Sequence, residues 1–220
     1  MPAVIASYLF GGIPIGLLVG RAKGVDDIRK YGSGNIGASN VLRVIGVKAG
    51  LFVWAVDALK GLLPVLVARY VLFPLGSSTS HAGIVGGPDG HAWWLAAVGV
   101  AAMAGHCFSV FLRMTGGRGV STSLGVILGL DWRAGLICFA CWIVIVALVR
   151  YISLASMIGT ALATPLLHLF AAPPPLVLAV ATIAAIVIIR HIPNIRRLLD
   201  GTERKIGQKE RPSPDSESAS

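Results

Sequence analysis

The sequence predicts an all-α integral membrane protein: a bundle of seven transmembrane helices with one crossing short or re-entrant, the N terminus outside and the C terminus cytoplasmic. Composition is the first reason. Of 220 residues 55% are hydrophobic and 13% charged, and a mean hydropathy of +0.78 is too apolar for an ordinary water-soluble domain. Recurrent apolar runs are the second, since a hydrocarbon core of about 30 Å needs roughly 20 helical residues. The third is that Lys and Arg gather in alternate connections.

In chain order the apolar runs cover residues 3–19, 44–73, 91–112, 119–130, 134–149, 153–170 and 176–189. The first lacks a basic leader and a small-residue cleavage site followed by a soluble domain, so it reads as a retained helix. Pro14 and Pro64 are expected to kink their helices, because proline removes an N–H and crowds the preceding turn. The run at 119–130 is short, and reads either as a crossing or as a re-entrant half-helix paired with the next run across Asp131, Trp132 and Arg133. The first connection carries Arg21, Lys23, Arg29, Lys30, Arg43 and Lys48, whereas residues 74–90 and 171–175 carry no Lys or Arg. The cationic connections are therefore placed in the cytoplasm. Seven crossings from an external N terminus bring residues 113–118, Arg150 and everything from Arg190 onward to that same side. Residues 1–205 read as one transmembrane domain, and the polar tail at 206–220 as disordered.

The formal charge of +9 would suit nucleic acid, but the positive residues sit at the ends of apolar runs, where retention of cytoplasmic loops explains them. No nucleic-acid partner is expected. Cys107, Cys138 and Cys141 are odd in number and lie in or beside apolar runs, so they read as helix-packing residues rather than as disulfides, redox centres or metal ligands. Neither a metal nor a cofactor is expected.

Three polar stretches interrupt the apolar chain: residues 29–43 (RKYGSGNIGASNVLR), 113–122 (RMTGGRGVST) and 190–205 (RHIPNIRRLLDGTERK). Anion-binding groups converging at one membrane face imply a site for a phosphorylated, partly lipidic substrate. The first stretch contains a G-x-G-x-x-G spacing from Gly32 to Gly37, but a membrane helix precedes it rather than a strand, which rules out a dinucleotide fold. Gly34 and its neighbours let backbone N–H groups approach an anion, with Ser33, Asn35, Ser39 and Asn40 as side-chain donors and Arg43 beside them. A tight turn that simply needs glycine is the alternative. In the second stretch Gly116, Gly117 and Gly119 open into a helix, aiming unpaired N–H groups outward near Thr122, and Arg118 adds a permanently charged fork. The Walker A spacing is absent, and a capped helix start is the alternative. In the third, His191 is a candidate general base or substrate orienter, with Asn194 on roughly the same helical face. Asp57 and Lys60, spaced i, i+3 near mid-membrane, are expected to face the bundle interior and pair, as architecture or as site. His106 reads as a helix-packing or supporting residue.

At these residues the chain resembles the acyl-phosphate:glycerol-3-phosphate acyltransferases of bacterial phospholipid synthesis. The resemblance runs from SYLFGGIPIG through GSGNIGASNVLR, VDALKG, AGH, GGRGVST and ISLAS to RHIPNIRRLLDGTERK. It implies a seven-helix fold in the bacterial inner membrane with its site facing the cytoplasm. It also implies transfer of an acyl chain from acyl phosphate to the 1-hydroxyl of glycerol 3-phosphate, giving lysophosphatidic acid and phosphate. Ser33 and Arg43 match the family's important serine and arginine; Gly116, Gly117 and Gly119 match its glycerol-3-phosphate loop; His191, Asn194 and Glu203 match its third motif. Thr115 and Arg118 stand where the family usually has lysines, so one cation is lost, with Arg113 as a possible replacement. As partners the resemblance implies the two substrates and membrane lipid, with other phospholipid-synthesis enzymes as candidate associates.

On this reading Arg43, Arg118 and the loop N–H groups neutralise two phosphates, while Ser33 or Asn194 binds the carbonyl oxygen as charge develops. An acylated Ser33 is disfavoured, because no base is evident near it. Proton removal falls to His191 or to the substrate's own phosphate. Two rival readings stay open at this point: a transporter or flippase of a phosphorylated lipid, and a weakened relative acting as an assembly partner.

Overall fold

The computed structural model describes residues 1–72 and 90–208. Eleven α-helices lie within them: α1 (Pro2–Gly11), α2 (Ile15–Ala22), α3 (Ala38–Val44), α4 (Val47–Val67), α5 (Gly90–Cys107), α6 (Val120–Leu130), α7 (Trp132–Val149), α8 (Ile152–Ala161), α9 (Ala163–Leu169), α10 (Pro174–Arg190) and α11 (Ile192–Leu199). Five stretches are long and apolar enough to cross a membrane: Pro2–Ala22, Val47–Leu72, Gly90–Leu112, Trp132–Val149 and Ile152–Leu169. Taken together as one span, α10 and α11, bent by 56° at their junction, make a sixth. The connection at residues 74–90 lies almost entirely outside the described residues, as does most of the tail read as disordered. Of that tail, residues 206–208 are described, and Ile206 exchanges hydrogen bonds with Arg150, its N–H to the carbonyl at 2.9 Å and its own carbonyl accepting from Nη2 at 2.7 Å.

Pro14 does more than kink the first run. The helix ends at Gly11 and restarts at Ile15, and the carbonyls freed between are taken up by neighbours. Gly12 O accepts from Ser109 Oγ at 2.6 Å and Ile13 O from Lys60 Nζ at 3.0 Å. Pro64 behaves differently, since α4 continues through it to Val67 and then widens into a π turn at Ala68–Leu72.

Small residues set the closest approaches, as expected where packing rather than the hydrophobic effect drives helix association in lipid. A Cβ on Gly61 would collide with the Thr122 carbonyl and one on Gly125 with the Ala58 carbonyl, so α4 and α6 touch backbone to backbone. The same holds for α1 and α5, where Gly11 meets Ala102 and Gly105 meets Tyr8. A core of Met103, Val126, Ile127, Val180 and Ile183 fills the bundle, and a smaller one of Leu17, Ile28, Ile36, Val41 and Val53 lies under the first polar stretch.

Candidate functional site

A cavity of about 520 Å³ opens where the three polar stretches meet. Ser33 and Arg43 come from the first, Arg118 and Gly119 from the second, and His191 and Asn194 from the third.

The first stretch is shaped by Asn40, buried at the heart of its turn. Its Nδ2 donates to the carbonyls of Ile28 (3.0 Å), Tyr31 (3.1 Å) and Asn35 (2.7 Å), and its Oδ1 accepts the Ser33 N–H at 2.7 Å. Asn40 therefore has no group to offer a substrate, because its side chain is spent on the backbone it organises. Gly34 likewise stands back from the cavity, its N–H donated to Tyr31 O at 3.1 Å. Asn35 lines the cavity while its Oδ1 accepts the Gly37 N–H. What the turn delivers is Ser33, whose buried Oγ has no hydrogen-bond partner among the described residues.

The second stretch is held from outside. Gly117 donates its N–H to His106 O at 3.1 Å, and a side chain on Gly117 would strike the His106 ring. Arg190 grips the carbonyls of Gly116 (2.6 Å) and Gly117 (3.1 Å), so these two glycines form the back of the loop rather than its ligand face. Gly119 adopts φ +79° and starts α6. Its first N–H groups have no intrahelical acceptor, and Val120 and Ser121 border the cavity there. Thr122 is buried against Gly61 instead. Thr115 is exposed, its hydroxyl donated to Leu112 O, and Arg113 lies in a separate groove with Pro14, Arg21 and Arg29. Arg113 thus does not replace a cation at the cavity.

Arg197 and Arg204 supply that charge; the sequence placed Arg197 only in the cationic cluster of the third stretch and did not single out Arg204. Arg118 is pushed down to about 10, first by burial and then by the positive field of Arg197, with Arg43 and Arg190 adding to it against the opposing pull of Glu203. Burial, then Arg204, likewise lowers Arg43. Among the described residues neither Arg43 nor Arg118 has a carboxylate within ion-pair distance, so an anion entering here relieves a crowded positive field.

Glu203 is the organiser of the third stretch. Burial pulls its carboxyl up, but hydrogen bonds from Ser153 (2.6 Å), Asn194 (2.7 Å) and Arg197 (2.7 Å) outweigh it and hold the group below the usual range. A carboxylate only accepts, so Asn194 turns its Nδ2 toward Glu203, leaving Oδ1 unpartnered. Asn194 therefore presents an acceptor to the cavity and not the expected donor. His191, just beyond the end of α10, is pushed down to about 4, chiefly by burial and further by Arg118 and Arg190, against the opposing pull of the Val187 carbonyl and Glu203. Its Nδ1 lies 2.8 Å from that carbonyl, which requires the proton on Nδ1 and leaves Nε2 as a bare acceptor.

Asp57 and His106 also line the cavity. Asp57 Oδ1 pairs with Lys60 Nζ at 2.8 Å, while Lys60 stands behind on Ile13 O. Beside the hydroxyls of Ser39, Ser156, Thr160 and Thr202, the wall carries a large apolar face that was not read from sequence as a site. Leu51, Trp54, Leu124, Ile127, Phe139 and Trp142 form a trough, with Phe139 stacked on Trp54 at 5.5 Å and on Trp142 at 6.2 Å. Among the described residues no group of three or more His, Cys, Asp or Glu could hold a metal ion.

A cationic head joined to an aromatic trough suits an anionic amphiphile, and comparisons with known proteins bear on which. The profile of the family described as glycerol-3-phosphate acyltransferase matches residues 1–201. The chain is 45% identical over 204 residues to the glycerol-3-phosphate acyltransferase of Rubrobacter xylanophilus, covering 93% of this chain and 94% of that one. It is 46% identical over 200 residues to the enzyme of the same name from Geobacter sulfurreducens, covering 90% and 93%. Among solved structures it is similar to an integral membrane glycerol 3-phosphate acyltransferase in its glycerol 3-phosphate form, with TM-score 0.81, 37% identity and coverage of 93% and 94%. The lysophosphatidic acid form of that protein superimposes with TM-score 0.79 at 36% identity, again covering 93% and 94%.

Proposed function

We propose a reaction on the premise that the chain belongs to the glycerol-3-phosphate acyltransferase family and is an acyltransferase. The acyl group of an acyl phosphate passes to the 1-hydroxyl of glycerol 3-phosphate, giving lysophosphatidic acid and inorganic phosphate. The observation that carries this reading is the union, in one cavity, of Arg43, Arg118, Arg197 and Arg204 with an apolar trough of acyl-chain character.

Acyl phosphate is a mixed anhydride with a good leaving group, so the protein's task is to hold two phosphates together and align a hydroxyl with a carbonyl. Arg43, Arg118 and the open start of α6 receive the phosphates. The Ser33 hydroxyl donates to the carbonyl oxygen as negative charge develops, an effect worth about 3 kcal/mol per donor. The hydroxyl oxygen attacks the carbonyl carbon, the bond to the phosphate oxygen breaks, and the departing phosphate takes the proton. Nε2 of His191 and Oδ1 of Asn194 accept hydrogen bonds from the substrate and orient it. The acyl chain enters sideways from the bilayer along Trp54, Phe139 and Trp142.

The mouth faces the cytoplasm of a bacterial inner membrane, with seven crossings, α6 the short one, an external N terminus and a cytoplasmic C terminus. The cationic connection between the first two long apolar runs supports that orientation. Family membership favours acyl transfer over the transport of a phosphorylated lipid. The test is to incubate purified protein with acyl phosphate and glycerol 3-phosphate and to look for lysophosphatidic acid, with acyl-CoA as contrasting donor. Product from acyl phosphate is expected. Failure to form it, or equal use of acyl-CoA, would overturn the proposal.

A further inference from the structure

We propose that the notch between Asp57 and His106 receives the 2-hydroxyl of the glycerol phosphate, an assignment that rests on the reaction just described. His106 Nδ1 is buried and has no hydrogen-bond partner among the described residues. Asp57 Oδ1 lies 3.8 Å away, which is beyond hydrogen-bond reach. A single hydroxyl oxygen spans that gap, donating its proton to the carboxylate and engaging the ring nitrogen. Both side chains border the cavity, although each is only 3–4% exposed.

The gap is fixed from both sides. Lys60 holds the Asp57 oxygen at 2.8 Å and is itself tied to the Ile13 carbonyl at 3.0 Å, in the break between α1 and α2. The His106 ring rests on Gly117, and its backbone carbonyl accepts the Gly117 N–H at 3.1 Å. Neither partner is free to swing over and close the notch. A buried ion pair in a membrane helix is costly compared with apolar packing, so a merely structural purpose leaves its position beside the glycine loop unexplained.

Position supplies the ligand. The notch opens on the same cavity as Arg118 and Gly119, just inside the loop that receives phosphate in the proposed reaction. In glycerol 3-phosphate the 2-hydroxyl stands three bonds from the phosphate ester oxygen, so a substrate gripped by the loop carries that hydroxyl alongside. Asp57 and His106 are thus binding residues for the acceptor's second hydroxyl, and they discriminate glycerol phosphate from phosphorylated alcohols that lack it.

The experiment compares kcat/KM for glycerol 3-phosphate and for 3-hydroxypropyl phosphate, which lacks only the 2-hydroxyl, using the purified full chain and acyl phosphate. Wild type is expected to prefer glycerol 3-phosphate by about 100-fold, because a site built around a hydroxyl leaves its polar groups unpaired when that hydroxyl is missing. Asp57→Asn and His106→Phe should bring the preference below about 5-fold, while His106→Asn, which keeps a nitrogen near the Nδ1 position, should retain part of it. A structural role alone would lower both substrates in parallel. Equal use of the two substrates by wild type overturns the proposal without any variant, and so does a parallel fall in the variants. Absence of product from glycerol 3-phosphate itself would instead sink the underlying reaction.

Discussion

Two glycine-rich segments border the cavity, and they are built on opposite plans. The turn at residues 32–37 is stapled from within, since Asn40 bonds to groups only 5 to 12 residues away. The loop at residues 115–119 is clamped from outside, by Arg190 acting across 73 and 74 residues and by the end of α5. The first delivers a side chain, the Ser33 hydroxyl; the second delivers backbone N–H groups and the Arg118 fork. Glycine spacing marks where backbone must come close, but not what keeps it there or which group it presents.

Replacing the staple should produce the largest effect. Asn40→Ala removes four hydrogen bonds and strands buried backbone groups, which should cost about 3 kcal/mol or more and abolish turnover. Chemical unfolding in detergent measures the first and product formation the second; near-normal stability would show that the first turn is held by something other than its own asparagine. Arg190→Met should do less, because the loop keeps its His106 contact. A rise of about 10-fold in KM for glycerol 3-phosphate is expected with kcat changed much less, given a loss of two hydrogen bonds from a charged donor. A kcat defect without a KM change would break the contrast between the two segments.

The last effect belongs to His191, which lines the cavity that both segments border, and it appears only on acidification. Its ionisation in the fold lies near 4 against 6.5 for an ordinary histidine, so the unfolded chain binds the extra proton first. The neutral form's contribution is complete above pH 6.5 and is lost as pH falls toward 4. The unfolding midpoint should therefore decline across that window, and His191→Gln should flatten the decline. An identical pH dependence in the variant would mean that His191 is already charged in the fold.

The helical runs, the meeting of three polar stretches and the family resemblance were legible because each is written in composition or in contiguous motif. Ser33, Arg43, Arg118, His191 and Asn194 could be placed at one cavity for that reason. The roles within the stretches were not legible. Asn40 and Asn35 look alike as donors, yet only the folded turn decides that one is consumed by backbone. Asn194 reads as a donor until Glu203, nine residues on, takes its N–H. Arg113 and Arg204 both look like neighbours of a motif; loop direction puts the first in another groove and the second in the cavity. The aromatic trough carried no signal, because Trp and Phe in a membrane helix are expected on any face.

The seam between α4 and α6 bears on how this protein sits in membranes of unequal thickness. With 11 residues α6 is only about 16 Å long, too short to reach across hydrocarbon unaided. Gly61 and Gly125 leave no side chains between it and the 21-residue α4, so the longer helix acts as a splint for the shorter. A thinner or thicker bilayer would then tilt the two as one plank, and the spacing between the glycine loop and Asp57 would ride along unaltered while the lipid around it adjusts.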